Sequence, residues 1–209
     1  MQATCTLANS QSKPIKLNKM NPIQTQLINY REKFDNELHN NILSFWMKYG
    51  VEKDGHGFYG AIDLDRNPVL SANKTSVLNA RILWTFASAA IQFNEPRYAE
   101  IAEKAYRVVT EDFADQVYGG YYMELTSSDA VANDIKHTYA QAFVLYSLCK
   151  YYEFNPSGKV LQKIKDFFAL LEEKAKDPQH PGYLESFTRD WNIYEENPAP
   201  TEIICDPPA

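Results

Sequence analysis

Cysteine is scarce and scattered: Cys5, Cys149 and Cys205 are odd in number, far apart, and fall in no Cys-x-x-Cys or Cys/His spacing. Neither a disulfide framework nor a zinc site is expected. The four histidines, His39, His56, His137 and His180, form no His-x-x-x-His pair, so no metal is expected from them either. A Gly-rich phosphate cradle, a Gly-x-Ser-x-Gly elbow and an EF-hand loop are all missing, which leaves phosphate-dependent and serine-hydrolase chemistry, and a bound cofactor, without support. Positive charge is in the minority, 21 Lys and Arg against 27 Asp and Glu, for a net charge of -6 with no basic stripe. A nucleic-acid partner is therefore not expected. No apolar run approaches the length of a membrane span. The opening Met1–Met20 lacks the apolar stretch of a secretory signal, so the expected location is cytoplasmic.

What the chain does have is an ordinary globular composition, 44% hydrophobic and 23% charged over 209 residues, enough for one or two domains with a sizeable core. Aromatics are plentiful: 14 Tyr, 11 Phe and 3 Trp. They suit a cleft that stacks on sugar rings, and equally a core filled with rings.

The most informative pattern is internal. Segments Gly55–Asp63, Tyr118–Leu125 and His180–Phe187 each carry a glycine, then an aromatic, then a strand-like tail. Gly57 to Gly120 is 63 positions and Gly120 to Gly182 is 62. A fixed period of this size marks stacked supersecondary units. Between the motifs, amphipathic helices are expected from Asn21-Pro22 to about Tyr49, from Pro96 to about Ala114, and from Ser157 to about Lys176. Ser76–Phe93 and Thr138–Phe154 are apolar nearly all round, the mark of a helix buried on every side. Alternation of the two kinds predicts an all-α fold with an inner and an outer layer, and short β-hairpins at one end turning at Asp63–Asn67 and Ser127–Ala130. A closed ring of six such units needs roughly 370 residues, so the chain supplies about half of one, a half-toroid.

Arg81 is the sharpest single signal, a guanidinium inside an otherwise apolar inner helix, where burial is costly without a partner or a polar cavity. It either pairs with Asp63, Asp65 or Glu185, or faces a ligand. A shift of 62 places Asn79 on Gln141 and Val77 on Tyr139, so Arg81, four residues after Val77, shares a helix face with the Tyr139 position. His137 opens the second inner helix and serves either as an acid/base group or as a cap. Glu185 and Arg189-Asp190-Trp191, which follow the third motif, form a cleft rim or hydrogen-bond the loop. The candidate ligand-facing set is Arg81, Tyr139, Asn79, Gln141, His137 and Trp191.

The stretches Ile42–Trp46, Gly57–Gly60, Leu78–Phe86, Tyr118–Tyr122, Lys136–Phe143 and Ser186–Trp191 together resemble the N-acylglucosamine 2-epimerase superfamily, most closely its cellobiose 2-epimerases. The resemblance implies an (α/α)6 barrel and metal-free epimerisation at C2 of a reducing-end sugar through an enediolate. It also implies that Arg81 and Tyr139 contact substrate. In the family the proton-transferring histidines come later, from a segment resembling Asn-Thr-His-Leu-His soon after Arg-Asp-Trp. Here Trp191 is followed by NIYEENPAPTEIICDPPA. The expectation is therefore a flexible extension over 1–20, half a barrel over 21–191 and a divergent tail over 192–209, with no catalytic residue of its own and with inner-helix flanks open to self-association. Two other readings stay open: a non-catalytic sugar-binding or assembly module, and a hydrolase on the same barrel using carboxylates among Asp63, Asp65 and Glu185.

Overall fold

The computed structural model describes residues 21–53 and 57–194. His56 and most of the divergent tail, with the 1–20 extension, lie outside the described residues. The chain divides into two compact units, Met1–Asn41 and Ile42–Ala209.

Helix α1, Pro22–Glu37, belongs to the first unit. Asn21 caps it by accepting from the Ile23 backbone N–H, the Gln24 side chain returns to the Asn21 N–H, and Pro22 supplies the preset first turn. The expected helix to Tyr49 keeps its reach but not its winding, because wider turns with more residues each follow at Leu38–Leu43 and Trp46–Gly50.

In the second unit, α2 (Ser76–Phe93) and α4 (Thr138–Phe154) lie side by side as the inner layer, with the Trp84 and Tyr146 rings stacked at 5.4 Å. The outer helices are α3 (Pro96–Arg107) and α5 (Gly158–Lys174). Tyr98 of α3 packs on Phe86 of α2, and Tyr106 stacks on Tyr151 of α4 at 4.1 Å. Asn94, in the left-handed conformation, ends α2, and Pro96 starts α3 two residues later. Ser157 caps α5 through the Val160 N–H. The all-round apolar pattern of α2 translates into a core: Ala80, Leu83 and Ala87 have no exposed surface.

Short strands gather at the N-terminal ends of the inner helices. Strand β1 (Lys74–Thr75) pairs with β2 (Glu124–Leu125), which pairs with β3 (Val131–Asn133); β4 (Lys136–His137) pairs with β5 (Ser186–Phe187), all antiparallel. Each inner helix thus enters from a strand that pairs with the following hairpin. The two expected hairpin turns close through Asp63 N–H to Asn67 C=O and Thr126 N–H to Ala130 C=O. A third, not expected from the sequence, closes from Thr188 N–H to Asn192 C=O. All three place a non-glycine residue at positive φ in the same slot: Arg66 at 67°, Asp129 at 64° and Trp191 at 67°.

The Gly-aromatic loops share one backbone bond. Glu52, Asp115 and Asp177 each donate a backbone N–H to the carbonyl of Gly57, Gly120 and Gly182. Gly120 sits at φ 69°, and a Cβ there would stand 2.7 Å from the Trp191 ring and 3.0 Å from Gln141 Oε1. Gly120→Ala is expected to lower stability by about 1–3 kcal/mol, read by thermal melting, from backbone strain and the displaced indole together.

Candidate functional site

The first two turns of α2 and α4, with His137 at the entry to α4, bring four side chains together. Arg81 Nη2 donates to Tyr139 Oη at 3.4 Å, and its guanidinium carbon lies 4.8 Å from the Phe143 ring centroid. Tyr139 meets Phe143 edge-on at 4.9 Å, and the His137 ring stands 6.3 Å from Tyr139. Behind them, His137 Nε2 lies 3.4 Å from Glu185 Oε1. Four groups able to meet a hydroxylated ligand therefore share one wall, at the helix ends whose partial positive charge favours negative oxygen.

Two expectations about Arg81 are settled differently. The shared face with Tyr139 holds. Burial does not: Arg81 is exposed, because it lies off the face of α2 that buries Asn79, Ala80, Ile82 and Leu83 around it. Among the described residues no carboxylate forms an ion pair with it. Asp63 is tied up in its own turn by the Asn67 N–H, and Glu185 goes to His137. Tyr139 is 46% exposed, so its hydroxyl is available to a ligand.

Asn79 and Gln141 are placed elsewhere, and this corrects their inclusion in the ligand-facing set. Both have 0% exposure. Gln141 Nε2 donates to the Tyr121 carbonyl at 2.7 Å while its Oε1 accepts the Tyr121 N–H at 3.0 Å. It clamps the Gly-aromatic loop of its own repeat. Asn79 Nδ2 donates to the Thr75 carbonyl at 2.9 Å, and its Oδ1 is buried without a partner. The 62-residue shift that relates the two is real, but the face they share points into the core. Trp191 is also corrected: buried, it donates Nε1–H to the Tyr118 carbonyl and packs beside Phe187 at 5.6 Å. Its indole is enclosed as a brace between loops.

The sequence reading missed a buried charge cluster beneath the wall. Asp115 Oδ2 accepts from Lys136 Nζ and from Arg189 Nε, each at 2.9 Å, while Oδ1 accepts from Arg189 Nη2 and the Val117 N–H. Arg189 Nη2 also donates to Tyr122 Oη at 2.9 Å. Asp115 and Lys136 side chains have no exposed surface. Burial alone would raise the Asp115 carboxyl, but Arg189, Lys136 and two backbone N–H groups outweigh it and hold the pKa well below the usual carboxylate range. Burial lowers the Lys136 ammonium, against the opposing pull of Asp115. Of the two roles open for the Arg-Asp-Trp segment, loop bonding is what Arg189 and Trp191 do. The signal that could have found the cluster is the equivalence of Lys74 and Lys136 at the same offset of 62.

Residues 57–200 match the family model described as N-acylglucosamine 2-epimerase (GlcNAc 2-epimerase). The chain belongs to this family. A cellobiose 2-epimerase of Bacteroides fragilis is 32% identical over 162 residues, 78% of this chain and 41% of its own length. The solved cellobiose 2-epimerase of Spirochaeta thermophila superposes with a TM-score of 0.79 at 30% identity, covering 86% of this chain and 44% of that one. That of Bacillus thermoamylovorans gives 0.76 at 31% identity, over 85% and 44%. The layered helices accordingly have the (α/α)6-barrel epimerase fold, and the chain spans somewhat under half the length of the relatives it matches. Among the described residues no helix is long and apolar enough to cross a membrane.

Proposed function

We propose that this chain contributes one substrate-binding wall of a sugar 2-epimerase acting on a reducing-end disaccharide such as cellobiose. The observation that carries the reading is Arg81, an exposed cation with no carboxylate partner among the described residues, held by Phe143 and directed at the Tyr139 hydroxyl. Removal of the C2 proton from an open-chain sugar puts negative charge on the O1 and O2 oxygens of an enediolate. A guanidinium, a phenol and two helix N-termini stabilise that charge most where it is greatest, in the transition state. Family membership and the fold support the same assignment.

Inversion at C2 requires proton transfer on opposite faces of the carbon. The wall offers one imidazole, His137, oriented by Glu185, and it offers it from one side. The reading is therefore binding without turnover for the 209 residues on their own, with the opposing acid/base group supplied from outside them. A cytoplasmic location belongs to the same reading and is checked by cell fractionation.

Titration calorimetry with cellobiose, paired with chromatography of a long incubation, tests both halves. The expected outcome is weak saturable binding, Kd about 1–10 mM, and no C2 epimer. An epimer formed by the purified chain contradicts the one-sided site, and absence of binding contradicts the wall itself.

A further inference from the structure

The two strand-to-helix junctions of the inner layer share a backbone and differ in chemistry. At the entry to α2 stand Thr75, Val77 and, from the following loop, Met123; 62 positions on, at the entry to α4, stand His137, Tyr139 and Glu185. Ser76 donates its N–H to the Met123 carbonyl at 3.1 Å, and Thr138 donates its own to the Glu185 carbonyl at 2.8 Å. Three side chains that do not ionise are thus matched, one repeat later, by three that carry an ionisable proton. The exchange removes a cap. Thr75 Oγ1 accepts the Leu78 N–H at 3.1 Å, whereas His137 makes no capping bond to α4, a loss that ordinarily weakens a helix start. His137 Nδ1 is also buried with no hydrogen-bond partner among the described residues. A junction that gives up a cap and leaves a buried nitrogen unanswered, beside a neutral version of itself, is shaped by chemistry more than by stability.

The three groups are placed to handle protons at one spot. The Thr138 N–H fixes the Glu185 backbone next to the residue that precedes Tyr139. The Glu185 side chain is 41% exposed, and its Oε1 lies 3.4 Å from His137 Nε2. With Nδ1 unpartnered, the imidazole proton is assigned to Nε2, facing the carboxylate. Arg81 Nη2 donates to Tyr139 Oη. A guanidinium has no acceptor, so the phenol proton is left for a ligand oxygen. A carboxylate base and a phenol acid therefore address a sugar from one side. Inversion at C2 needs groups on both faces of a carbon, but opening and closing a sugar ring moves protons only at O1 and O5, two oxygens on the same carbon. The limit drawn for C2 does not extend to C1.

We propose that the chain interconverts the two anomers of a bound reducing sugar, with Glu185 and Tyr139 as catalytic residues and His137 as the positioning residue that aims the carboxylate. The proposal rests on the sugar-binding reading of the wall. Glu185 takes the proton of the O1 hydroxyl, and the freed O1 electron pair forms the C1 carbonyl as the C1–O5 bond breaks. Tyr139 gives its proton to O5, leaving a phenolate beside the Arg81 guanidinium. The open aldehyde turns about C1–C2. Closure then reverses each transfer: O5 attacks the other face of C1 and returns its proton to the phenolate, while O1 recovers the proton held by Glu185. Bonds and protons balance without a co-reactant, and C2 is untouched.

The test dissolves pure β-cellobiose with the 209-residue chain and follows the anomeric 1H signals to equilibrium, with binding measured on the same samples by calorimetry. The expected result is an added rate proportional to protein, which falls about 100-fold in Glu185→Gln and in Tyr139→Phe. Glu185→Gln should still bind cellobiose. His137→Thr reproduces the cap of α2, so it should melt no lower than the parent chain yet lose most of the added rate, which a purely structural histidine would not do. Saturable binding without an added rate overturns the proposal and leaves the binding wall standing, as does an added rate unchanged in Glu185→Gln. No binding of cellobiose overturns both.

Discussion

Asp115→Asn is expected to destabilise the chain by about 3–5 kcal/mol, because it leaves two cations facing each other without their shared counterion. Lys136 has no exposed surface, so it has no water to turn to, while Arg189 is partly exposed and recovers some solvation. Against a total stability of about 5–15 kcal/mol for an ordinary domain, the urea midpoint should fall steeply. A second change sharpens the test. Asp115→Asn combined with Lys136→Met should be less damaging than Asp115→Asn alone, since it removes the charge that can least be left unpaired. The same carboxylate sets an acid limb. Its folded pKa lies below the ordinary value, so its contribution is complete above an unfolded pKa of about 3.9 and is lost as pH falls from there toward the folded value. In Asp115→Asn that limb should flatten.

Arg81→Ala should leave stability within about 0.5 kcal/mol, as for an exposed residue making no ion pair, yet abolish measurable sugar binding. A charge-assisted hydrogen bond to a ligand oxygen is worth about 1.5–3 kcal/mol, or roughly 10–100-fold in affinity. From a millimolar start that is the difference between detectable and undetectable. Arg81→Lys should restore only part of it, because an ammonium does not reproduce the planar fork or its stacking over Phe143. Calorimetry and a melting curve on the same samples separate the two effects.

The layers and loops were legible because they rest on period. The Gly-aromatic spacing, the apolar inner helices and the capped outer ones each follow from local chemistry repeated every 62 or so residues. The Arg81–Tyr139 pairing was legible for the same reason, one shift applied to two helices. Other features depended on which face of a helix its neighbours cover, which composition does not report. Arg81 was expected buried because its helix is apolar all round, whereas it lies off the face that buries Asn79, Ala80, Ile82 and Leu83. Asn79 and Gln141 were expected at the ligand because the shift that relates them also relates Val77 to Tyr139. One helical position decides between wall and core, and theirs faces the loop. Trp191 was placed at a rim or on the loop from its position after the third motif, while the third hairpin turn that buries it, with a bulky residue at positive φ, runs against ordinary turn preferences. The Asp115–Lys136–Arg189 cluster joins residues up to 74 positions apart, beyond any local pattern.

The claim at the centre of this account is that the wall formed by Arg81, Tyr139, His137 and Phe143 binds a reducing sugar. An assigned 1H–15N correlation spectrum of the 209-residue chain, titrated with cellobiose, tests it most directly. The account predicts saturable shifts centred on the first two turns of α2 and α4 and at Glu185, which vanish in Arg81→Ala. Shifts centred elsewhere, or shifts that persist in Arg81→Ala, would contradict it.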